Sequence, residues 1–352
     1  SILGAAVAHH LLAGNSIVDG VNWAKAGEVG LSLLLSPLIG FGFSAALMLL
    51  SKRLFPSPIL HGPPPKNGPP PPFFVRSILC ITCTGVSFAH GSNDGQKGMG
   101  LIMLVLIGIV PTHFALSSQL DAERFQRVQL AAVEADRMLD EKGVPAPAAA
   151  VSNVDELPVN ERARARLARV RETLRNKNSL DDIAGGDRWA FRLELLNLRN
   201  DLKALESLAL AERPREERKE WSRHLAALKD PIEYVPTWVV IGVALALGIG
   251  TTVGWKRIVV TVGEKIGKSH LTYSQGACAE LVAMSTIGLA DFGGLPVSTT
   301  QVLSSGVAGT MWAHRSGIQL GTLKKIALAW LLTLPATMLL SGAFYLIARI
   351  FV

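Results

Sequence analysis

Between Val29 and Ser51 the chain runs for 23 residues without a charged side chain. A helix of roughly 20 apolar residues crosses a hydrocarbon core of about 30 Å, so this run reads as a membrane helix with some tilt. Val235–Trp255, Phe292–His314 and Ile326–Ala348 are likewise free of Asp, Glu, Lys and Arg, and Leu271–Ala290 is interrupted only by Glu280. The fold class is therefore an all-α integral membrane protein.

Charge is sorted along the chain. Of the 28 acidic residues, 22 lie between Asp121 and Glu233, where 21 Lys and Arg nearly balance them. Elsewhere 14 Lys and Arg face six acids. The net charge of +7 thus sits on short loops beside apolar segments and argues for membrane lipid, not nucleic acid, as the partner.

These patterns divide the chain into five parts. Residues 1–51 hold membrane helices, and because Ser1–Gly14 is apolar but too short to cross a bilayer, the sequence is expected to begin partway through a longer protein. Residues 52–76 form a Pro-rich linker, 77–112 a further membrane segment, 113–233 a soluble helical insertion, and 234–352 the remaining membrane helices. Residues 52–76 and 256–268 each carry four Lys or Arg and are separated by two crossings. The positive-inside rule makes both cytoplasmic and the insertion periplasmic, in a multi-pass protein of the cell inner membrane. Within the insertion, Phe191, Leu195, Leu198, Leu202 and Leu205 step by four and three residues, the seam of a helix in a small bundle. Ser117–Lys142 and Glu161–Lys177 read as further helices, joined through Pro145–Ala150, and the Arg-rich run Arg162–Arg175 reads as a solvated face.

Two stretches carry chemistry. In Phe88–Gly100, His90, Asn93, Asp94 and Lys97 follow the i, i+3, i+4, i+7 rule and share one helix face inside an apolar segment. Ionisable groups at that depth mark an ion or substrate path. The 36 residues of 77–112 are too few for two spans and too many for one, and the local glycines predict a helix broken near Gly91–Gly95. In Asp291–Thr300, Gly293, Gly294 and Pro296 end one helical piece, and Ser298, Thr299 and Thr300 start the next. A helix N-terminus with three hydroxyls is suited to an oxyanion such as phosphate or sulfate; an ordinary cap packed between helices is the plainer alternative. Glu280, with apolar neighbours on both sides, suits a proton carrier. A phosphate dianion beside Asp94 and Glu280 is repelled unless cations accompany it, so the constellation implies coupling to protons or Na⁺, or passage as a metal-phosphate pair. Cys80 and Cys83 form a lone C-x-x-C read as inert buried thiols, and no resident cofactor or metal is implied.

With Ala-His-Gly-Ser-Asn-Asp-Gly-Gln-Lys-Gly at 89–98, Gln-Gly-Ala-Cys-Ala-Glu-Leu at 275–281 and Gly-Leu-Pro-Val-Ser-Thr-Thr at 294–300, the chain resembles the inorganic phosphate transporter (PiT) family, its bacterial low-affinity members above all. The resemblance implies a transporter, not an enzyme, built from two inverted repeats with broken helices, each repeat carrying an Asn-Asp motif and a Pro-x-Ser-Ser/Thr motif. It implies that Asn93 and Asp94 contribute to phosphate and cation sites, that Ser298, Thr299 and Thr300 hold phosphate, and that Glu280 matches a glutamate needed for transport. Gln301 stands where the family usually has His, and the first repeat's own motifs are absent. The chain is thus expected to be a C-terminal fragment, or to pair with a second copy as a homodimer.

The function expected is a phosphate symporter with inward transport, proton coupling favoured over Na⁺. Transport of sulfate or a divalent metal on the same scaffold is the nearer alternative. An intramembrane aspartyl protease using Asp94 and Asp291 is the remoter one, because the sequence contexts of that chemistry are missing.

Overall fold

The computed structural model describes residues 2–14, 23–64, 70–141, 154–209 and 215–349. The Pro145–Ala150 linker and the centre of the Pro-rich linker lie outside these. The helices are, in order, α1 (Ile2–Leu12), α2 (Trp23–Leu54), α3 (Pro58–His61), α4 (Phe73–Ile109), α5 (Pro111–Phe114), α6 (Ala122–Glu141) and α7 (Val159–Leu174). They continue with α8 (Arg188–Ala209), α9 (Arg215–Ala227), α10 (Thr237–Thr252), α11 (Trp255–Glu264), α12 (Tyr273–Phe292), α13 (Thr299–His314) and α14 (Leu320–Ala348). Among the described residues there is no strand, only an isolated bridge between Gly267 and Ile318. Among the described residues three helices, α2, α4 and α14, are long and apolar enough to cross a membrane. The span expected at 235–255 is a shorter apolar helix of 16 residues, α10.

The chain forms two compact units, Ser1–Gly95 with Leu245–Val352, and Gln96–Ala244. The second unit takes in the insertion together with the last residues of α4 and the first of α10.

In the first unit α13 is the hub, packed against α2 and α12. Small residues allow this. A Cβ on Gly40 would collide with Ser305 and the Val302 backbone, one on Gly306 with Ser44, and one on Gly309 with the Phe41 carbonyl. Lipid offers no hydrophobic drive for helix association, so close backbone approach and the dispersion it permits hold such pairs together. α1 meets α14 in the same way, with Gly4 and Ala8 against Ser341 and Gly342. The outer surface is apolar: α14 buries none of its residues, and Leu331, Leu339 and Phe344 are exposed. That surface is too large and continuous for water and fits lipid.

The second unit is a helical bundle of α6, α7, α8 and α9 around Phe125, Leu139, Leu167 and Trp221. The expected seam is present: Phe191, Leu195, Leu198 and Leu202 are buried, and Leu205 packs against them. The Arg-rich run is not a plain solvated face. Arg162 and Arg166 reach the buried carboxylate of Asp201 at 2.8 and 2.7 Å, while Arg164 pairs with Asp140 and Arg171 with Asp136. The acids that balance the arginines in the sequence meet them across helices, Asp201 taking two of them. Arg192 closes the insertion's two ends by donating to the Ala115 and Ile232 carbonyls at 2.8 and 2.9 Å.

One expectation fails here. The helix predicted to break near Gly91–Gly95 is continuous, a single α-helix of 37 residues. Among the described glycines only Gly14, Gly254, Gly294 and Gly317 have positive φ. A helical glycine costs about 1 kcal/mol relative to alanine, whereas each backbone group freed in lipid costs several kcal/mol. Continuity wins unless a cavity or ligand takes up the freed groups. The surplus length continues as helix: 37 residues rise about 55 Å, well beyond a hydrocarbon core of about 30 Å. The second predicted break is real. α12 ends at Phe292, Gly294 takes φ +63°, and α13 starts at Thr299.

Candidate functional site

α4 and α12 run parallel and in register. Thr82 Oγ1 donates to Glu280 Oε2 at 2.6 Å, and 11 residues further along both helices Asn93 Nδ2 donates to Asp291 Oδ1 at 2.6 Å. The two contacts therefore stand about 16 Å apart along the helices. Between them lies an apolar layer of Val86, Ala89, Ala283 and Ile287, closed by Val302 of α13. Gly85 lets Met284 seat against α4 in that layer.

The upper contact belongs to a larger cluster. His90 Nε2 lies 3.0 Å from Thr299 Oγ1 and 3.1 Å from Asp94 Oδ2. One imidazole nitrogen thus joins the α4 carboxylate to the first residue of α13. Nε2 carries either a hydrogen or a lone pair, so it serves Asp94 as a donor or Thr299 as an acceptor. Asn93 and Thr299 are buried, while His90 and Asp94 remain 38% exposed, so the cluster has an open side.

The start of α13 is built by its own sequence. Gly293 and Gly294 end α12, Pro296 donates no hydrogen bond, and Ser298 caps the new helix by accepting from Gln301 N at 3.4 Å. The Ser298 oxygen thus accepts in the cap, and its O–H remains a donor. Thr300 is exposed. α2 steadies the corner: Ser32 donates to the Pro296 carbonyl, and Ser36 donates to Gln301 Oε1 at 3.2 Å. At position 301 the side chain ties α2 to α13.

Of the residues singled out in the sequence, the structure brings together Asn93, Asp94 and Thr299, with Ser298 and Thr300 beside Thr299. Glu280 stands apart, beyond the apolar layer, with Thr82. His90 was read in the sequence only as one of the ionisable groups marking a path, and Asp291 was given no transport role, yet both stand in the cluster: His90 between Asp94 and Thr299, and Asp291 on Asn93. The placement of 90, 93 and 94 on one helix face was a signal for His90, and the position of Asp291 at the head of the second motif was a signal for that residue. Among the described residues no group of three or more His, Cys, Asp or Glu is arranged to hold a metal ion. Cys80 and Cys83 are exposed, not buried; at i and i+3 they share a face of α4 turned outward, and Cys278 is the buried thiol.

Against known proteins, the Phosphate transporter family (PHO4) matches residues 1–341. This chain belongs to the phosphate transporter family. It is a transporter and not an enzyme. It is 37% identical over 365 residues to a low-affinity inorganic phosphate transporter of Buchnera aphidicola from Acyrthosiphon pisum, covering 99% of this chain and 74% of that protein. It is 36% identical over 376 residues to the low-affinity inorganic phosphate transporter PitB of Escherichia coli K12, with 99% and 74% covered. A probable low-affinity inorganic phosphate transporter of Bacillus subtilis is 40% identical over 114 residues, 32% of this chain and 34% of that protein. No solved structure matches. Every residue of the cluster described above, from Ser32 to Gln301, lies inside the family match.

Proposed function

We propose that this chain carries inorganic phosphate into the cell across the inner membrane, coupled to protons in preference to Na⁺. One observation carries this reading: His90 connects Asp94 to Thr299 at the start of α13, next to the Asn93–Asp291 pair. A helix start with hydroxyls favours an oxyanion, and two carboxylates beside it repel one unless positive charge arrives with it. A proton on the imidazole, or a cation with the phosphate, removes that conflict. The cluster therefore favours phosphate only when its co-substrate is present, which is the condition for symport.

In this reading Thr299, Thr300 and the free amides of the first turn of α13 receive phosphate oxygens, with Ser298 holding that turn in place. Asn93 keeps Asp291 oriented, and Asp94 with His90 takes the coupling charge. Glu280, about 16 Å away along α12, serves as a second ion station on the same helix pair. The apolar layer between the stations blocks a continuous aqueous path, as alternating access requires. The loops carrying Lys52, Arg53 and Lys256 face the cytoplasm, and the insertion faces the periplasm.

Uptake of radiolabelled phosphate into proteoliposomes, driven separately by a proton gradient and a Na⁺ gradient, tests the proposal. Proton-driven uptake that falls at least tenfold in Asp94→Asn and in Thr299→Ala is expected. Unchanged uptake in both variants removes these residues from the mechanism, and equal competition by sulfate removes phosphate as the preferred substrate.

A further inference from the structure

α11 (Trp255–Glu264) carries two faces. Trp255, Ile258, Val259 and Val262 follow the i, i+3, i+4, i+7 rule and form one apolar stripe, with Lys256 and Glu264 off it. Of these four, only Val262 is used inside the protein, where it packs on the hub cluster of Ile266, Val307 and Met311. Trp255, Ile258 and Val259 are 55%, 64% and 56% exposed. Adjoining large apolar side chains bordered by charge mark an interaction surface. A helix of 10 residues rises only about 15 Å, half of a hydrocarbon core, so α11 cannot cross a membrane.

Two observations say what covers the stripe. The first is continuity: α11 follows directly on α10, the apolar helix of the run Val235–Trp255. Ile249 and Val253, toward the end of that run, are exposed as lipid-facing side chains are, and Gly254 then turns the chain at φ +78°, which suits glycine alone. The stripe of α11 begins two residues after the exposed apolar surface of α10 stops. Charge is the second. From Gly254 to Ser269 the chain carries Lys256, Arg257, Lys265 and Lys268 against Glu264 alone. A second copy of the chain would bring the same positive charge to this face, whereas anionic lipid head groups complement it. Trp and aliphatic residues along one side of a short helix, with lysine beside them, form the pattern of a helix lying in a membrane surface.

The residues after α11 are stitched to the hub. Ile266 is fully buried and its carbonyl accepts from Gln319 N at 2.8 Å, the Gly267 carbonyl accepts from Gln319 Nε2 at 2.8 Å, and Lys268 N donates to the Gly317 carbonyl at 3.1 Å. α11 therefore holds the turn between α13 and α14. We propose that α11 lies in the plane of the membrane surface, with Trp255, Ile258 and Val259 among the acyl carbons next to the head groups and its lysines on anionic head groups, and that it moors the end of α13 and the start of α14 there. This inference uses none of the transport residues and is read without phosphate.

The test reconstitutes the full chain in nanodiscs whose lipids carry bromine on the acyl chain, either near the head group or near the methyl end. The fluorescence of wild type less that of Trp255→Phe isolates Trp255 among the seven tryptophans. Shallow bromines are expected to quench it more strongly than deep ones, since such helices sit about 5 to 10 Å into the head-group boundary. Brominated phosphatidylglycerol is expected to quench more strongly per lipid than brominated phosphatidylcholine, a preference that K256Q lowers about fivefold, the factor one Lys or Arg is worth near an anionic surface. Ile258→Ser, at an exposed position, weakens quenching by both lipids and leaves the circular dichroism unchanged. Three results overturn the proposal: quenching of Trp255 by aqueous iodide and not by lipid bromine, which puts the stripe in water; quenching by neither, which means that protein, a second copy included, covers it; or equal quenching by the two lipids, which removes the anionic head groups.

Discussion

Asn93 donates a 2.6 Å hydrogen bond to Asp291, joining the middle of α4 to the last turn of α12. Asn93 is buried, so the carboxylate it serves loses its nearest fixed donor if the amide is removed. Replacing Asn93 by Leu leaves a charge unserved, and replacing it by Asp sets two carboxylates against each other. Phosphate uptake is expected to fall about tenfold in Asn93→Leu and further in Asn93→Asp, a difference that hydrogen-bond loss alone, worth about 1 to 3 kcal/mol, does not produce. Initial rates of labelled uptake at matched protein levels provide the check.

Eleven residues earlier on each helix, the same register places Thr82 on Glu280. If Glu280 only accepts this hydrogen bond, Gln is an adequate replacement. If it carries the coupling ion, Glu280→Gln abolishes gradient-driven accumulation while phosphate exchange at equal concentrations persists. The second outcome is expected. Thr82→Val, which keeps the shape and loses the donor, should slow accumulation severalfold without abolishing it.

How far this was legible in the sequence depends on the range of the interaction. Membrane class, the seam from Phe191 to Leu205 and the turn at Gly293–Ser298 are properties of a few neighbouring residues, and all three stand in the structure. Pairing between residues 198 positions apart, as for Asn93 with Asp291, leaves no local trace. α4 was expected to break because 36 residues are too many for one span and glycines cluster near 91–95, yet a broken helix needs a cavity or a ligand to take up its freed amides.

Gly91 and Gly309 separate these two roles of glycine. A Cβ at Gly91 meets nothing within 4 Å, so Gly91→Ala in the intact α4 is expected to stabilise the protein by about 0.5 to 1 kcal/mol. A Cβ at Gly309 runs into the Phe41 carbonyl, a backbone group that cannot swing away, so Gly309→Ala should destabilise by about 1 to 3 kcal/mol. Thermal unfolding in detergent, followed by size exclusion, ranks the two variants on either side of wild type. Gly91→Ala that unfolds early would restore the broken helix.

The insertion offers a test by pH. Burial pushes the Glu194 carboxyl above the ordinary carboxylate range, although Arg169 and Arg166 pull it back. Arg169 stands 3.7 Å from Glu194 Oε1, too far for a hydrogen bond, and that oxygen has no hydrogen-bond partner. A carboxyl whose value is raised by folding contributes stability below its unfolded value, and that contribution is lost as pH rises through its folded value. The insertion is therefore expected to lose stability as pH climbs out of the carboxylate range. The effect should stay below about 1 kcal/mol, because Glu194 keeps part of its solvation. Glu194→Gln should match wild type at acidic pH and exceed it at neutral pH. Resistance of residues 154–209 to limited proteolysis in the full chain, at acidic and at neutral pH, reads out the difference, and a gap of the same size at both leaves the ionisation of Glu194 with no part in it.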